Sequence, residues 1–292
     1  MGVVLKIQII YKTIQVMETT QQINMIDWEV QERPIYANGL KITDYRGLFR
    51  GDSDKLLSIQ KSSYTPTPNS RFIEVAERLN EITGFPIKNY FDIDGGKKTL
   101  AFLECTEPLE VCGHEFKDYL MLGNSFDGST GFFIGNSSIM VRCSNRFSKN
   151  FRQLQVMHTK NNSQRIDDLC RTFDMFMNQR KKLFTQMETF EQVKIDDSIK
   201  KALVERLTRM TEEEKLGTEI STRKSNIIAQ INNSIETECR ALGNNSFGLF
   251  QGITHYTTHV KQSKNGIFGN PFGSLNDMNQ TAYKFCNELV LS

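Results

Sequence analysis

The stretch FPIKNYFDIDGGKKTLAFLEC, from Phe85 to Cys105, decides the fold class. Apolar and polar residues partly alternate on both sides of Asp94-Gly95-Gly96, and alternation with a period of two is typical of strands with one buried face. Two glycines directly after an aspartate are typical of a tight turn between antiparallel strands. The stretch therefore predicts a β-hairpin formed by the strands Phe85–Ile93 and Thr99–Cys105.

The residues before this hairpin also favour strands, with one helix embedded among them. Because Pro66 and Pro68 remove backbone donors, no strand continues through them, and a helix is predicted from about Asn69 to Gly84. A turn is predicted at Asn38-Gly39. The other strands predicted up to about residue 145 are Trp28–Tyr36, Tyr45–Arg50, Leu56–Gln60 and Asp118–Leu122.

Helical spacing of apolar residues replaces alternation in the second half of the chain. The range Ser163–Phe190 predicts one long amphipathic helix. A loop rich in glycine, asparagine and serine is predicted at Lys261–Gly273. The further helices predicted are Asp196–Met210, Thr211–Leu242, Phe247–Val260 and Leu275–Leu289. The fold class expected is α+β, with a β-rich N-terminal half containing one embedded helix and long amphipathic helices in the C-terminal half.

We expect a single domain over residues 21–292, β-rich over 21–145 and mainly helical over 146–292. Residues 1–20 are interpreted as an extension. Within them Val3–Ile10 is apolar, but it lacks the basic start and the cleavage site of a secretory signal, so a strand is predicted there.

Composition limits the classes of function. The chain has 292 residues with 38% hydrophobic and 24% charged residues, which is typical of a globular protein with a sizeable core. The formal net charge of +2 implies neither nucleic-acid nor membrane binding, so an electrostatic argument has to rest on where the charges lie. The six cysteines are scattered without a C-x-x-C pair, which favours a reducing cytoplasm. No apolar run is long enough to cross a bilayer, and we expect no membrane partner and no cofactor.

Three blocks of sequence carry a resemblance to a known family. They are Asp27–Tyr36, Leu122–Ser129 and Val141–Asn145, and Tyr64–Asn69, His158-Thr159 and Thr254–His259 follow the same order. The chain resembles the phage/plasmid-like family, catalogued as domain of unknown function 932, from about Asp27 onward. The resemblance implies an origin in a phage, plasmid or other mobile element, and hence the cytoplasm of the host cell. It brings no established reaction, and it suggests a likeness to phage single-strand annealing proteins, which often form rings.

Positive charge is concentrated between Arg142 and Lys182, where ten basic residues face three acidic ones. Single-stranded nucleic acid needs cations for its backbone and flat apolar partners for its bases, and phenylalanines interleave with these charges. The alternative is a solvated helix face whose phenylalanines turn into the core. The predicted nucleic-acid-binding residues are Arg142, Arg146, Phe147, Lys149, Arg152, Lys160 and Arg165.

A polar loop between two apolar strands is a second candidate site. Its residues Asn124, Ser125, Asp127, Gly128 and Ser129 could form a nest of backbone N–H groups around a phosphate, although no Walker-type motif is present. The alternative is a turn whose side chains satisfy its own backbone.

Histidines form the third candidate site. His255 and His259 have the i, i+4 spacing of zinc-binding helices, but no further ligand completes a metal site, so none is predicted. We expect His158, His255, Tyr256 and His259 to line a polar groove.

The function expected is that of a mobile-element DNA-transaction protein and not of an enzyme. We expect it to bind single-stranded DNA, to promote strand annealing or recombination, and to form homo-oligomers. One alternative is a phosphate-substrate enzyme that uses the Asn124–Ser129 loop with His255 or His259 as acid or base. Another is a factor that binds a host protein.

Overall fold

The computed structural model describes residues 26–217, 219–261 and 271–291. The predicted extension over residues 1–20, with its strand at Val3–Ile10, lies outside the described residues. So does most of the predicted loop at Lys261–Gly273.

A small antiparallel sheet of three strands opens the described chain. Strand β1 (Val30–Ala37) pairs with β2 (Leu40–Arg50), which pairs with β3 (Leu56–Lys61). Asn38 and Gly39 link β1 to β2 with φ of 49° and 79°, the left-handed backbone of the predicted tight turn. Predicted strands here are confirmed, although β2 starts five residues earlier than expected.

The embedded helix is confirmed as α1 (Asn69–Thr83). Phe72, Val75, Ala76 and Leu79 are buried on its inner side. Gly84 ends it with φ of 71°, a left-handed conformation that a glycine adopts without steric cost.

A six-stranded sheet follows, and it contains the hairpin predicted from Phe85–Cys105. Its strands are β4 (Ile87–Ile93), β5 (Lys98–Glu104), β6 (Leu109–Val111), β7 (His114–Ser125), β8 (Phe132–Met140) and β9 (Arg146–Val156). The order is β4-β5-β7-β8-β9, with β6 paired to β7. Strand structure therefore continues to Val156, where helix was expected to dominate after residue 145.

Helices make up the rest of the described chain. They are α2 (Asn162–Cys170), α3 (Phe173–Thr189), α4 (Asp197–Thr208), α5 (Glu212–Lys215), α6 (Thr222–Leu242), α7 (Ser246–His255) and α8 (Ser274–Leu291), with a π-helical turn at Tyr256–Val260. The α+β fold class is confirmed. Among the described residues, no helix combines the length and the apolarity needed to cross a membrane.

The single long helix predicted over Ser163–Phe190 is wrong, because the helix is interrupted at Thr172. The hydroxyl of Thr172 donates a hydrogen bond of 2.7 Å to the carbonyl of Leu169, in competition with the helical backbone pattern. The single helix predicted over Thr211–Leu242 is likewise wrong. It is divided into α5 and α6, and Ser221 caps α6 by accepting from the backbone of Lys224.

The chain forms two compact units. The first contains the described residues up to Thr106 together with Tyr119–Asn136 and Asn150–Phe176. The second contains Glu107–Asp118, Ser137–Lys149 and the residues from Met177 onward.

Candidate nucleic-acid interface

Three of the predicted cationic residues lie close together along the chain in the first unit. Arg152 is on β9, which ends the strand order of the larger sheet. Lys160 is in the following loop, and Arg165 is in α2. All three side chains are exposed, and none of them forms an ion pair with a carboxylate of the described residues. We call these three residues the cationic segment.

Asp167, a half-buried carboxylate two residues after Arg165, is already paired with other arginines. Asp167 accepts hydrogen bonds from Arg71 at 2.6 Å and from Arg78 at 3.0 Å. The bond from Arg71 is the main reason why the pKa of Asp167 lies below its usual range. Arg71 also forms an ion pair with Glu74, so these two arginines and two carboxylates balance each other. Asp167 therefore does not neutralise Arg165.

The predicted cations before Asn150 belong to the second unit and are less available. Arg142 is exposed and donates to the carbonyl of Ala241 at 3.4 Å. Arg146 and Lys149 are half-buried, and burial lowers the pKa of the Lys149 ammonium to about 8. The Lys149 nitrogen lies 4.0 Å from the centroid of the Tyr283 ring, within range of a cation–π interaction.

Phe147 is part of the core of the second unit. Its side chain is only 3% exposed, and its ring centroid lies 5.0 Å from that of Phe250 and 5.4 Å from that of Tyr283. Phe151, in the first unit, is equally buried and packs against Phe176. Neither ring can stack on a base without leaving its core, so the stacking role predicted for Phe147 is wrong. Strand β9 turns these phenylalanines inward, as the alternative interpretation required.

Arg180 is also unavailable for binding nucleic acid. Its side chain is 9% exposed and pairs with Asp118, which is 1% exposed, within the second unit. A charge buried in an ion pair contributes nothing to the attraction of a distant phosphate.

The polar loop satisfies its own backbone. The hydroxyl of Ser125 donates to the carbonyl of Thr130 at 2.7 Å, and the N–H of Ser129 donates to the Asp127 carboxylate at 2.9 Å. Burial raises the pKa of Asp127, but hydrogen bonds from Lys98 and Ser129 outweigh it and hold that pKa below its usual range. Gly128 supplies the turn with φ of 74°. Asn124 is buried and donates to the carbonyl of Thr67 at 3.1 Å. These contacts agree with the interpretation of the loop as a turn whose side chains satisfy its own backbone.

His158 is buried in the first unit beside Tyr64. The two ring centroids are 4.9 Å apart, and the Nδ1 atom of His158 lies 3.4 Å from the hydroxyl of Thr67. Burial lowers the pKa of His158 to about 4, so the ring is neutral at pH 7. His158, which lies between Arg152 and Lys160 in sequence, thus contacts the residues that follow the small sheet.

His255 and His259 lie in the second unit at the end of α7. Their ring centroids are 5.1 Å apart, and His259 Nε2 is 3.0 Å from the carbonyl oxygen of Cys143. Burial lowers the pKa of His255, against the opposing effect of Glu238. Tyr256 is only 2% exposed. Among the described residues, no group of three potential metal ligands comes together. One groove shared by these residues and His158 stays a prediction.

An exposed apolar surface on the small sheet was missed by the sequence reasoning. The side chains of Leu40, Ile59 and Tyr45 are 76%, 52% and 41% exposed. Tyr45 and Ile59 lie in segments that were correctly predicted as strands, whereas Leu40 precedes the predicted strand, and alternation alone does not say which face of a sheet is covered. The pairing of β2 with β1 and β3, which sets that face, involves residues far apart in sequence.

Comparisons with known proteins identify one family. The model of the family described as "Domain of unknown function (DUF932)" matches residues 56–282, more than half of the chain. No curated protein matches the chain, and no solved structure does.

Proposed function

This chain belongs to the DUF932 family, and we propose that it is a DNA-transaction protein of a mobile element, phage or plasmid, that binds single-stranded DNA. The observation that supports the proposal most strongly is the cationic segment of Arg152, Lys160 and Arg165, which is exposed and without ion-pair partners among the described residues. Arg142 adds a further exposed cation from the second unit. The proposed place of action is the cytoplasm of the host cell, and the six free cysteines support a reducing compartment.

Exposed cations bind a nucleic-acid backbone by releasing its condensed counterions. Each phosphate neutralised on a single strand changes the logarithm of the binding constant by about 0.7 per tenfold change in salt. Cations held by buried carboxylates, such as Arg180 beside Asp118, contribute less because they would exchange one anion for another. The three residues of the cationic segment carry no such cost.

The proposed mechanism is non-catalytic. Cations hold the phosphates of one strand while its bases stay open to pairing, and a homo-oligomer extends the binding surface along the strand. Strand annealing or recombination is the proposed outcome. The contacts in the polar loop support this choice over a phosphate-substrate enzyme, because the Ser129 N–H group and the Asp127 carboxylate already satisfy each other.

The test compares a triple variant with a matched control. Replacing Arg152, Lys160 and Arg165 by alanine is expected to weaken binding of a labelled single-stranded oligonucleotide by on the order of a hundredfold at 50 mM salt. Fluorescence anisotropy measures the affinity, with duplex DNA of the same sequence for comparison. The control removes three other exposed cations that also have no ion-pair partner among the described residues, with the changes Lys194→Ala, Arg223→Ala and Arg240→Ala.

The control variant is expected to bind within about threefold of the unchanged protein, since its three cations are not part of the proposed site. Equal losses in the two triple variants would mean that binding follows net charge alone, and the proposed site would be wrong. An absence of binding to single strands at low salt would remove the proposed function itself.

A further inference from the structure

One face of the small sheet combines aromatic rings with cations. In β2 and β3, Tyr45 pairs with Lys61 and Gly47 pairs with Ile59, and residues paired across an antiparallel ladder project to the same side. In β1 and β2, Arg33 pairs with Gly47, and Gln31 pairs with Phe49. Arg33, Tyr45, Phe49, Ile59 and Lys61 therefore share one face of the sheet, which we call the outer face.

Each ring of the outer face has a cation beside it. The guanidinium of Arg33 lies 4.8 Å from the centroid of the Phe49 ring, and Lys61 is the direct cross-strand partner of Tyr45. The Phe49 ring lies against Gly47, since a Cβ atom at Gly47 would be 2.5 Å from the ring atom Cε2. Glycine at this position therefore lets the ring lie close to the sheet instead of standing away from it.

Both faces of the small sheet carry cations, but they differ in the strand carboxylate Glu32. Glu32 pairs with Leu48, whose side chain is buried, so Glu32 projects to the opposite face, where it forms an ion pair with Arg46. On the outer face both charged strand residues are cations. Arg33 does contact Asp54 of the β2–β3 turn, but their side chains are 38% and 73% exposed, and an ion pair so exposed is weak and easily exchanged.

The outer face is connected to the cationic segment within the first unit. Tyr64 follows Lys61 by three residues, and its ring contacts His158, which precedes Lys160 by two. The backbone N–H of Thr65 donates to the carbonyl of His158 at 3.0 Å, and Asn162 at the start of α2 donates to the carbonyl of Thr65 at 2.9 Å. These bonds hold the end of β3 against the loop that carries Lys160.

We infer that the outer face is the base-binding surface for single-stranded DNA, with Tyr45 and Phe49 stacking on bases and with Arg33 and Lys61 contacting phosphates. The inference rests on the proposed function and replaces the buried Phe147 with the exposed ring of Tyr45 and the half-buried ring of Phe49 as the stacking partners. Aromatic side chains beside cations suit a single strand, whose bases expose flat surfaces next to an anionic backbone. Arg33 and Lys61 supply the positive charge that a phosphate backbone needs and that a purely apolar contact with a protein would not use.

The experiment separates stacking from simple apolar contact at Tyr45. Tyr45→Leu is expected to weaken binding of single-stranded oligo-dT about tenfold with an unchanged salt slope, because stacking is worth about 1–3 kcal/mol per base. Tyr45→Phe, which keeps the ring, is expected to bind within about twofold of the unchanged protein. Ile59→Ser is the matched control, because it removes an exposed apolar side chain of the same face that has no ring.

Photo-crosslinking of oligo-dT followed by peptide mass spectrometry gives a second readout, with crosslinks expected in the peptide that contains Tyr45. If the cationic-segment variant loses affinity while Tyr45→Leu binds as tightly as Tyr45→Phe, the inference is wrong and the proposed function stands. If the unchanged protein binds no single strand, both are wrong. If Tyr45→Leu and Ile59→Ser instead dissociate an oligomer seen by light scattering and leave DNA affinity unchanged, the face binds a second copy of this chain, which also overturns the inference.

Discussion

The buried ion pair between Asp118 and Arg180 gives a sharp test of the structure. Asp118→Asn keeps the shape of the side chain and removes its charge, so the Arg180 guanidinium stays buried without a full counter-charge. The side chains are 1% and 9% exposed, so water cannot replace the missing carboxylate. Breaking a buried pair from one side typically costs about 3–5 kcal/mol, and we expect the lower end for Asn, which still accepts a hydrogen bond.

Urea denaturation followed by circular dichroism measures this loss, since the free energy of unfolding falls linearly with urea. The matched control is Glu107→Gln, whose carboxylate lies 3.4 Å from the same guanidinium but is 63% exposed. A loss of less than about 1 kcal/mol is expected there. The double variant Asp118→Leu with Arg180→Met is expected to recover most of the stability, because apolar replacements of a buried pair are often neutral. Equal costs for Asp118→Asn and Glu107→Gln would refute the reasoning.

Two further predictions concern packing and pH. Gly252→Ala places a Cβ 2.6 Å from the backbone Cα of Ile235, where α7 lies against α6, and it should destabilise the protein by about 1–3 kcal/mol, measured as a fall in the urea midpoint. His158 has a folded-state pKa of about 4, below its unfolded value of 6.5. Between these pH values the unfolded chain binds one more proton than the folded chain. The free energy of unfolding should therefore decrease as the pH falls from 6.5 towards 4. The loss in the free energy of unfolding should be on the order of 3 kcal/mol, and it should be absent from His158→Phe. The same pH dependence in this variant and in the unchanged protein would contradict the prediction.

Much of the fold could be predicted from local patterns. The hairpin around Asp94-Gly95 and the helix ending at Gly84 follow from alternation, helical spacing and turn residues, which act over a few neighbours. The break at Arg171 and Thr172 could not, because apolar spacing continues across it. There the backbone N–H groups of both residues donate to carbonyls three residues back, and the Thr172 hydroxyl also donates to Leu169. Strand β9 was missed as well, because its basic residues favoured an exposed surface and gave no sign that its phenylalanines face inward.

The candidate site was only partly predictable, because a sequence gives the charge of a residue but not its partner. From the sequence, the ten basic residues between Arg142 and Lys182 were equally good candidates for binding nucleic acid. In the structure Arg180 forms a buried ion pair, and Lys149 lies half-buried over the ring of Tyr283. Arg152, Lys160 and Arg165 stay exposed. The rings of the outer face were not found because their grouping depends on the register of three strands.

The central claim, that this chain binds single-stranded DNA through its cationic segment, is tested most directly by the salt dependence of binding. Affinity for a single-stranded oligonucleotide is measured from about 50 to 200 mM salt, the range over which counterion release is strong, for the unchanged protein and the Arg152, Lys160 and Arg165 triple variant. The slope of the logarithm of affinity against the logarithm of salt should become shallower by about 2 in the variant, about 0.7 for each of three phosphates. An unchanged slope, with the protein folded, would contradict the account.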